Sequence, residues 1–183
     1  MSNEDFELVK RAQQGEPAAF ETIYEKYQPS IYTFFFYRLN DVDHAEDMTA
    51  EVFVRLVEKV DTFKDQGRPL LAWLYTIARN LLIDRYRGNG HDDLPLHENL
   101  VSSDYDGPHA VTERRLARRC LASAFRQLTG LQQLVILLKF MEGRSNAEIA
   151  DVLGNTEGAV KSLQHRALAS LRRMLDKERC YER

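Results

Sequence analysis

Between Ser145 and Leu175 the side chains are ordered for reading a nucleic acid duplex rather than for breaking a bond. Lys161 and His165 are four residues apart, as are Ser162 and Arg166, so on a helix they form adjacent rows of one exposed half. In a major groove Lys and Arg can donate to guanine, and Ser can meet either kind of base edge. Gly158, near the start of that helix, permits close approach of a phosphate, whose charge a helix N-terminus favours. Arg172 and Arg173, further along, suit phosphate contact or a tether for the tail. Upstream, Trp73, Asn80 and Asp84 fall along one side of another helix. A third set is acidic: Asp43, Glu46, Asp47 and Glu51, with Phe53 among them. Carboxylates on one helical face suit a basic partner and steer its approach, although a solvated surface calls for the same acids.

Some of these positions have a plain packing explanation. Trp73 lies among Leu70, Leu74 and Ile77 and reads as core; Phe53 suits an interface or a core equally. Cys120 sits in an apolar stripe and reads as a small core side chain. The chain shows no catalytic acid and base pair, nucleophile arrangement or phosphate-binding glycine loop, so no enzymatic activity is expected. The two cysteines, Cys120 and Cys180, and five histidines match no metal-ligand spacing. Neither a zinc site, a disulfide framework nor a cofactor is expected.

Helices are needed to place these rows, and apolar spacing supplies them. A short helix is predicted around Phe6 to Ala12. Pro17 fits an early position of the next helix, whose apolar residues are Phe20, Ile23, Tyr24, Tyr27, Ile31, Phe34, Phe35 and Leu39. After a break at residues 40–43, Met48, Val52, Phe53, Leu56, Val57 and Val60 share a face. A further helix spans Leu70 to Tyr86. Glycine, proline, aspartate and serine then replace periodicity over residues 88–111, a stretch long for a connection inside one compact domain. A second helical set follows, with Leu116, Cys120, Leu121, Ala124, Phe125 and Leu128 as a stripe and a short helix around Leu131 to Phe140. Ser145 with Glu148 forms a capping-box pattern, Gly154 suits the end of that helix, and Asn155 and Thr156 offer a cap for the next. The inward side of the last helix is Val160, Leu163, Ala167, Leu171 and Met174 or Leu175. Together these are a helix-turn-helix, which by itself says only DNA binding.

The expected architecture is therefore all-α: a helical domain at 1–87, a flexible acidic linker at 88–111, and a helix-turn-helix domain at 112–183 ending in a short tail. The net charge of −3 conceals segregation. Residues 1–60 hold 12 acids and 6 bases, and 88–111 hold 5 acids and no base, whereas 112–139 hold 1 acid and 6 bases. An acidic surface for a protein partner and basic faces for phosphate follow from that pattern. No run approaches the roughly 18 to 20 apolar residues needed to cross a bilayer, and the acidic, polar N-terminus is unlike a signal peptide, so a cytoplasmic protein without membrane insertion is expected.

Both halves resemble the sigma-70 superfamily of RNA polymerase subunits, specifically its extracytoplasmic-function (ECF) group. The segments DHAEDMTAEVFVRLVEKVDTF and GRPLLAWLYTIARNLLIDRYR are similar to region 2, and AFRQLTGLQQLVILLKFMEGRSNAEIADVLGNTEGAVKSLQHRALASLRRML to region 4. Ala50 stands where the family often has glutamine, and Leu128-Thr129 where Leu-Pro is usual. The resemblance implies a promoter-specificity subunit whose partners are core RNA polymerase, through the beta-prime clamp helices and the beta flap, promoter DNA and an anti-sigma factor. It implies that Asp43, Glu46, Asp47, Glu51 and Phe53 dock on the clamp helices. Trp73, Arg79, Asn80, Asp84, Arg85, Tyr86 and Arg87 then serve the minus-ten element, with Asn80 starting a loop that receives an extruded base. Gly158, Lys161, Ser162, His165, Arg166 and Arg172 serve the minus-thirty-five element. In related factors the linker threads toward the polymerase cleft, but a merely solvated tether needs no function. The alternative is a free-standing helix-turn-helix regulator of duplex operator DNA.

Overall fold

The computed structural model describes residues 3–39, 41–65, 67–88, 117 and 120–177, with only the backbone of 86–88. The acidic linker at 88–111, Leu116 and Cys180 lie essentially outside these residues, as do the side chains of Tyr86 and Arg87. All regular structure among the described residues is helical.

In the first half, α1 (Asn3–Gln13), α2 (Pro17–Leu39), α3 (Val42–Lys59) and α4 (Leu70–Gly88) pack as a bundle. The chain break between α2 and α3 is shorter than its polar composition suggested, because Asp41 caps α3: its side chain accepts a hydrogen bond from the His44 N–H at 2.8 Å. Ile23, Ile31, Phe34, Phe35, Leu56, Leu70 and Leu74 are almost wholly buried, so apolar burial supplies most of the driving force. Two apolar assignments fail. Tyr24 and Val57 were expected on the inner face, yet they are 46% and 54% exposed. A tether closes the bundle: Gln13 Nε2 donates to the Val60 carbonyl at 2.9 Å. The Tyr27 hydroxyl donates to the buried Asp5 carboxylate at 2.6 Å, and Lys26 donates to it at 3.0 Å.

The second half comprises α5 (residues 120–126), α6 (Gly130–Ile136), α7 (Asn146–Leu153) and α8 (Glu157–Lys177). Thr129, standing where proline is usual, makes a full capping box with Gln132. Helix α6 runs on into a wider turn, Leu137–Met141. Leu121 is half exposed rather than part of the inner stripe. Cys120 packs at the edge of the core but is disulfide-bonded, contrary to the expectation of no disulfide.

The two halves touch through α4 and α7, and side chains at the end of α2 meet α5 and the start of α6. The Tyr75 hydroxyl of α4 donates to Glu142 Oε1 at 2.8 Å, and the rings of Tyr37 and Phe125 meet edge to face at 6.1 Å. Burial, and then the nearby Glu142 carboxylate, hold the Tyr75 phenol well above its ordinary pKa. It therefore stays a neutral donor at physiological pH.

Candidate nucleic-acid and partner interfaces

The helix-turn-helix is built as its local chemistry dictates. Ser145 Oγ accepts from the Glu148 N–H at 3.2 Å, and the Glu148 carboxylate takes the Ser145 N–H at 2.8 Å. Gly154 ends α7 with φ 62°, the left-handed conformation that glycine adopts at least cost. Thr156 Oγ1 then accepts from the Ala159 N–H at 3.2 Å, starting α8. Val160, Ala167, Leu171 and Leu175 anchor α8 to the core. Lys161, Ser162, His165 and Arg166 are all exposed on its outer side, as the four-residue spacing requires. Gly158 is open as well, with nothing but Thr156 Oγ1 within 4 Å of where a Cβ would stand. Arg172 is exposed but pairs loosely with Asp176 at 3.9 Å.

In the first half, Arg79, Asn80 and Asp84 are exposed and Arg85 is half-buried. Thr76 joins Asn80 and Asp84 at four-residue steps, so the expected row lies along one side of α4. The expectation that Asn80 opens a loop is not met: α4 continues unbroken from Leu70 to Gly88, because its apolar spacing does not lapse at residue 80. The concave feature lies at the other end of the helix. A cleft of about 390 Å3 is lined by Thr62, Phe63, Lys64, Arg68, Pro69, Ala72, Trp73 and Thr76. Trp73 is partly buried, its ring 4.8 Å from that of Phe63 and tilted by 51°. It thus packs on the core, as its apolar neighbours suggested, and also walls this cleft. Two aromatic rings, two cations and two hydroxyls form a surface for stacking and hydrogen bonding an unpaired base. Phe63, Lys64 and Arg68 escaped the sequence reading; the signal was an aromatic and two cations around the Gly67-Arg68-Pro69 turn.

On α3, Asp43, Glu46 and Asp47 are exposed. Glu51 is partly covered and accepts from Arg55 Nε at 2.8 Å. Phe53 is 7% exposed and packs edge to face on Tyr24 at 4.8 Å, so most of its ring belongs to the core. Its remaining exposed edge lines a shallow apolar groove of about 400 Å3, together with Phe20, Tyr24, Ala50, Val54 and Val57 among others. Ala50, the departure from the usual glutamine, lies in that lining. Among the described residues no cluster of metal-binding side chains occurs, and no helix is long and apolar enough to cross a membrane.

The regular structure among the described residues is all helical, with a helix-turn-helix in the second half, and the comparisons show the family. Residues 23–91 match the Sigma-70 region 2 family and residues 118–171 the Sigma-70 region 4 family. The ECF RNA polymerase sigma factor BldN of Streptomyces coelicolor is 39% identical over 171 residues, covering 92% of this chain; the match spans 65% of BldN. The ECF RNA polymerase sigma factor SigW of Bacillus subtilis (strain 168) is 30% identical over 178 residues, covering 91% of this chain and 94% of SigW. Among solved structures, CnrH in complex with the cytosolic domain of CnrY is 25% identical with a TM-score of 0.63, covering 94% of this chain and 97% of CnrH. The chain belongs to the ECF group of sigma-70 family RNA polymerase sigma factors.

Proposed function

We propose that this chain binds bacterial core RNA polymerase, directs it to promoters by their minus-thirty-five and minus-ten elements, and promotes strand opening without catalysing a reaction itself. The observation that carries this reading is the pairing, in one family member, of an exposed polar row on α8 with an aromatic and cationic cleft at the start of α4. The row suits the edges of an intact duplex. The cleft suits a base that has left one.

Lys161 and Arg166 read base edges, with Ser162 and His165 meeting base or backbone. Gly158 and Arg172 lie against phosphate, Arg172 being freed from Asp176 at little cost, since an exposed ion pair contributes about 0 to 1 kcal/mol. In the first half, Phe63 and Trp73 stack an extruded base while Lys64 and Arg68 hold its phosphates. Asn80, Arg79, Asp84 and Arg85 follow the strand along α4, joined by Tyr86 and Arg87. Binding of the extruded base offsets an unstacking cost of a few kcal/mol.

Polymerase docking falls to α3. Asp43, Glu46, Asp47 and Glu51 steer a basic surface, and the groove that Phe53 lines with Val54 and Val57 supplies the apolar contact. The beta flap is the expected second contact, on the distal half. CnrH was solved with a protein bound, which supports an anti-sigma partner here. The activity is placed in the cytoplasm.

Fragments of genomic DNA captured by the chain alone and by the chain with core polymerase test the reading. Enrichment of a two-part motif only when core polymerase is present is the expected result. Enrichment of a palindromic site by the chain alone would instead establish the free-standing regulator.

A further inference from the structure

The cleft at the start of α4 offers rings to the faces of a base and cations to its phosphates, which leaves the base edge to two hydroxyls. Its polar lining is Lys64, Arg68, Thr62 and Thr76, with no carboxylate or amide side chain among the lining residues. The acid between the two cations, Asp65, is committed to the turn, where its Oδ1 accepts the Gly67 N–H at 2.7 Å. With Lys64 and Arg68 on phosphate, Thr62 and Thr76 are the polar groups that remain.

A threonine hydroxyl has one proton to donate and two lone pairs with which to accept. The Thr76 hydroxyl donates to the Ala72 carbonyl, one turn back on α4, at 2.9 Å. The Thr62 hydroxyl donates to the Lys59 carbonyl at 2.7 Å. A carbonyl oxygen carries no proton, so each hydroxyl must be the donor in its bond. Both threonines are therefore left with lone pairs alone for a ligand. The segment that carries Thr62 is fixed from α1: Gln13 Nε2 donates to the Val60 carbonyl at 2.9 Å and to the Phe63 carbonyl at 3.2 Å, on either side of it.

Two fixed acceptors discriminate among bases. Adenine, cytosine and guanine each carry an exocyclic amino group with hydrogens to give, whereas thymine presents O4, an acceptor, in its place. An acceptor set against another acceptor forfeits the hydrogen bonds both made to water. A site built to pair with a donor rejects the analogue that lacks it. We propose that Thr62 and Thr76 select the extruded base, admitting one with an exocyclic amino group and rejecting thymine. This selection rests on the cleft being the site of the extruded base.

The test uses the full chain bound to core polymerase, on fork templates carrying the minus-ten element identified by run-off transcription. An abasic nucleotide is placed at each unpaired position in turn, and the position at which Trp73→Leu adds no further loss of affinity holds the base in the cleft. There the natural base is compared with the analogue lacking only its amino group: purine for adenine, pyrimidin-2-one for cytosine or hypoxanthine for guanine. The wild-type chain is expected to favour the natural base about tenfold, the scale of one to two neutral hydrogen bonds. In the double variant Thr62→Val, Thr76→Val the ratio is expected to fall to about one. A merely structural defect would weaken both templates alike and leave the ratio standing. Thymine as the natural base at that position, a ratio near one in the wild-type chain, or a tenfold ratio kept by the double variant overturns the selection. Absence of any position at which Trp73→Leu and the abasic nucleotide overlap overturns the cleft as the base site, a failure distinct from the other three.

Discussion

The two halves present the side chains proposed to meet nucleic acid in different ways. The second half uses one helix: Lys161, Ser162, His165 and Arg166 share the outer side of α8 because of their spacing alone. The first half uses a cleft, to which Thr62 to Lys64, the Arg68-Pro69 turn and the first two turns of α4 each contribute. A row on a rigid helix complements a duplex groove, whereas a cleft takes in a single base. This difference in construction is the division of labour the proposed function requires, and it can be attacked at each end.

The largest expected effect lies outside both surfaces. Val57→Asp puts a charge into the α3 groove and is expected to weaken core polymerase binding by about 2 to 4 kcal/mol, the scale of an interface hot spot. Surface plasmon resonance on immobilised core polymerase reads it, with the melting temperature of the free chain unchanged because Val57 is 54% exposed. An unaltered affinity would remove the groove from the interface and leave the acids alone.

Next, Trp73→Leu removes the stacking wall while retaining an apolar side chain. It should cost about 1 to 3 kcal/mol in holoenzyme binding to a fork template with an unpaired minus-ten strand, as base stacking does elsewhere. Binding to a duplex carrying only the minus-thirty-five element should be unaffected. Equal loss on both templates would dissolve the contrast between the halves.

The reciprocal experiment is Arg166→Ala or Lys161→Ala. About 1 to 3 kcal/mol of discrimination at one base position should vanish, with strand opening on a fork template intact. Uniform weakening on every sequence would reassign the side chain to a phosphate.

The smallest effects concern the scaffold. Ser145→Ala removes the α7 cap and should lower stability by about 1 kcal/mol in urea titration. The Ser145 side chain and backbone N–H hold the Glu148 carboxyl below its ordinary pKa of 4.5. A carboxyl with a depressed folded pKa contributes stability above that ordinary value and loses it as pH falls through the lowered one. Glu148→Gln should therefore flatten a slight acid-limb decline in stability.

Much of this was legible in the residues, since the signals were local. Ser145 with Glu148, Gly154 and Thr156 mark helix ends through hydrogen bonds within a few residues, and the structure shows each of them. Thr129 restores by capping what an absent proline would have supplied. Burial side was harder to read. Val57 adjoins Leu56 in sequence but lies about 100° around the helix from it, and its apolar character alone put it on the wrong face. The cleft escaped because its walls are brought together by a turn, with Phe63 and Trp73 meeting across it. The closing of the halves had no local sign at all. Tyr75 and Glu142 are 67 residues apart, and neither sits in a pattern that names the other.

The most direct measurement is run-off transcription of fragmented genomic DNA by purified core RNA polymerase, with and without this chain. New transcripts that begin downstream of one shared two-part motif are the predicted result. No new transcripts, together with failure of the chain to co-elute with core polymerase, would contradict its role as a promoter-specificity subunit.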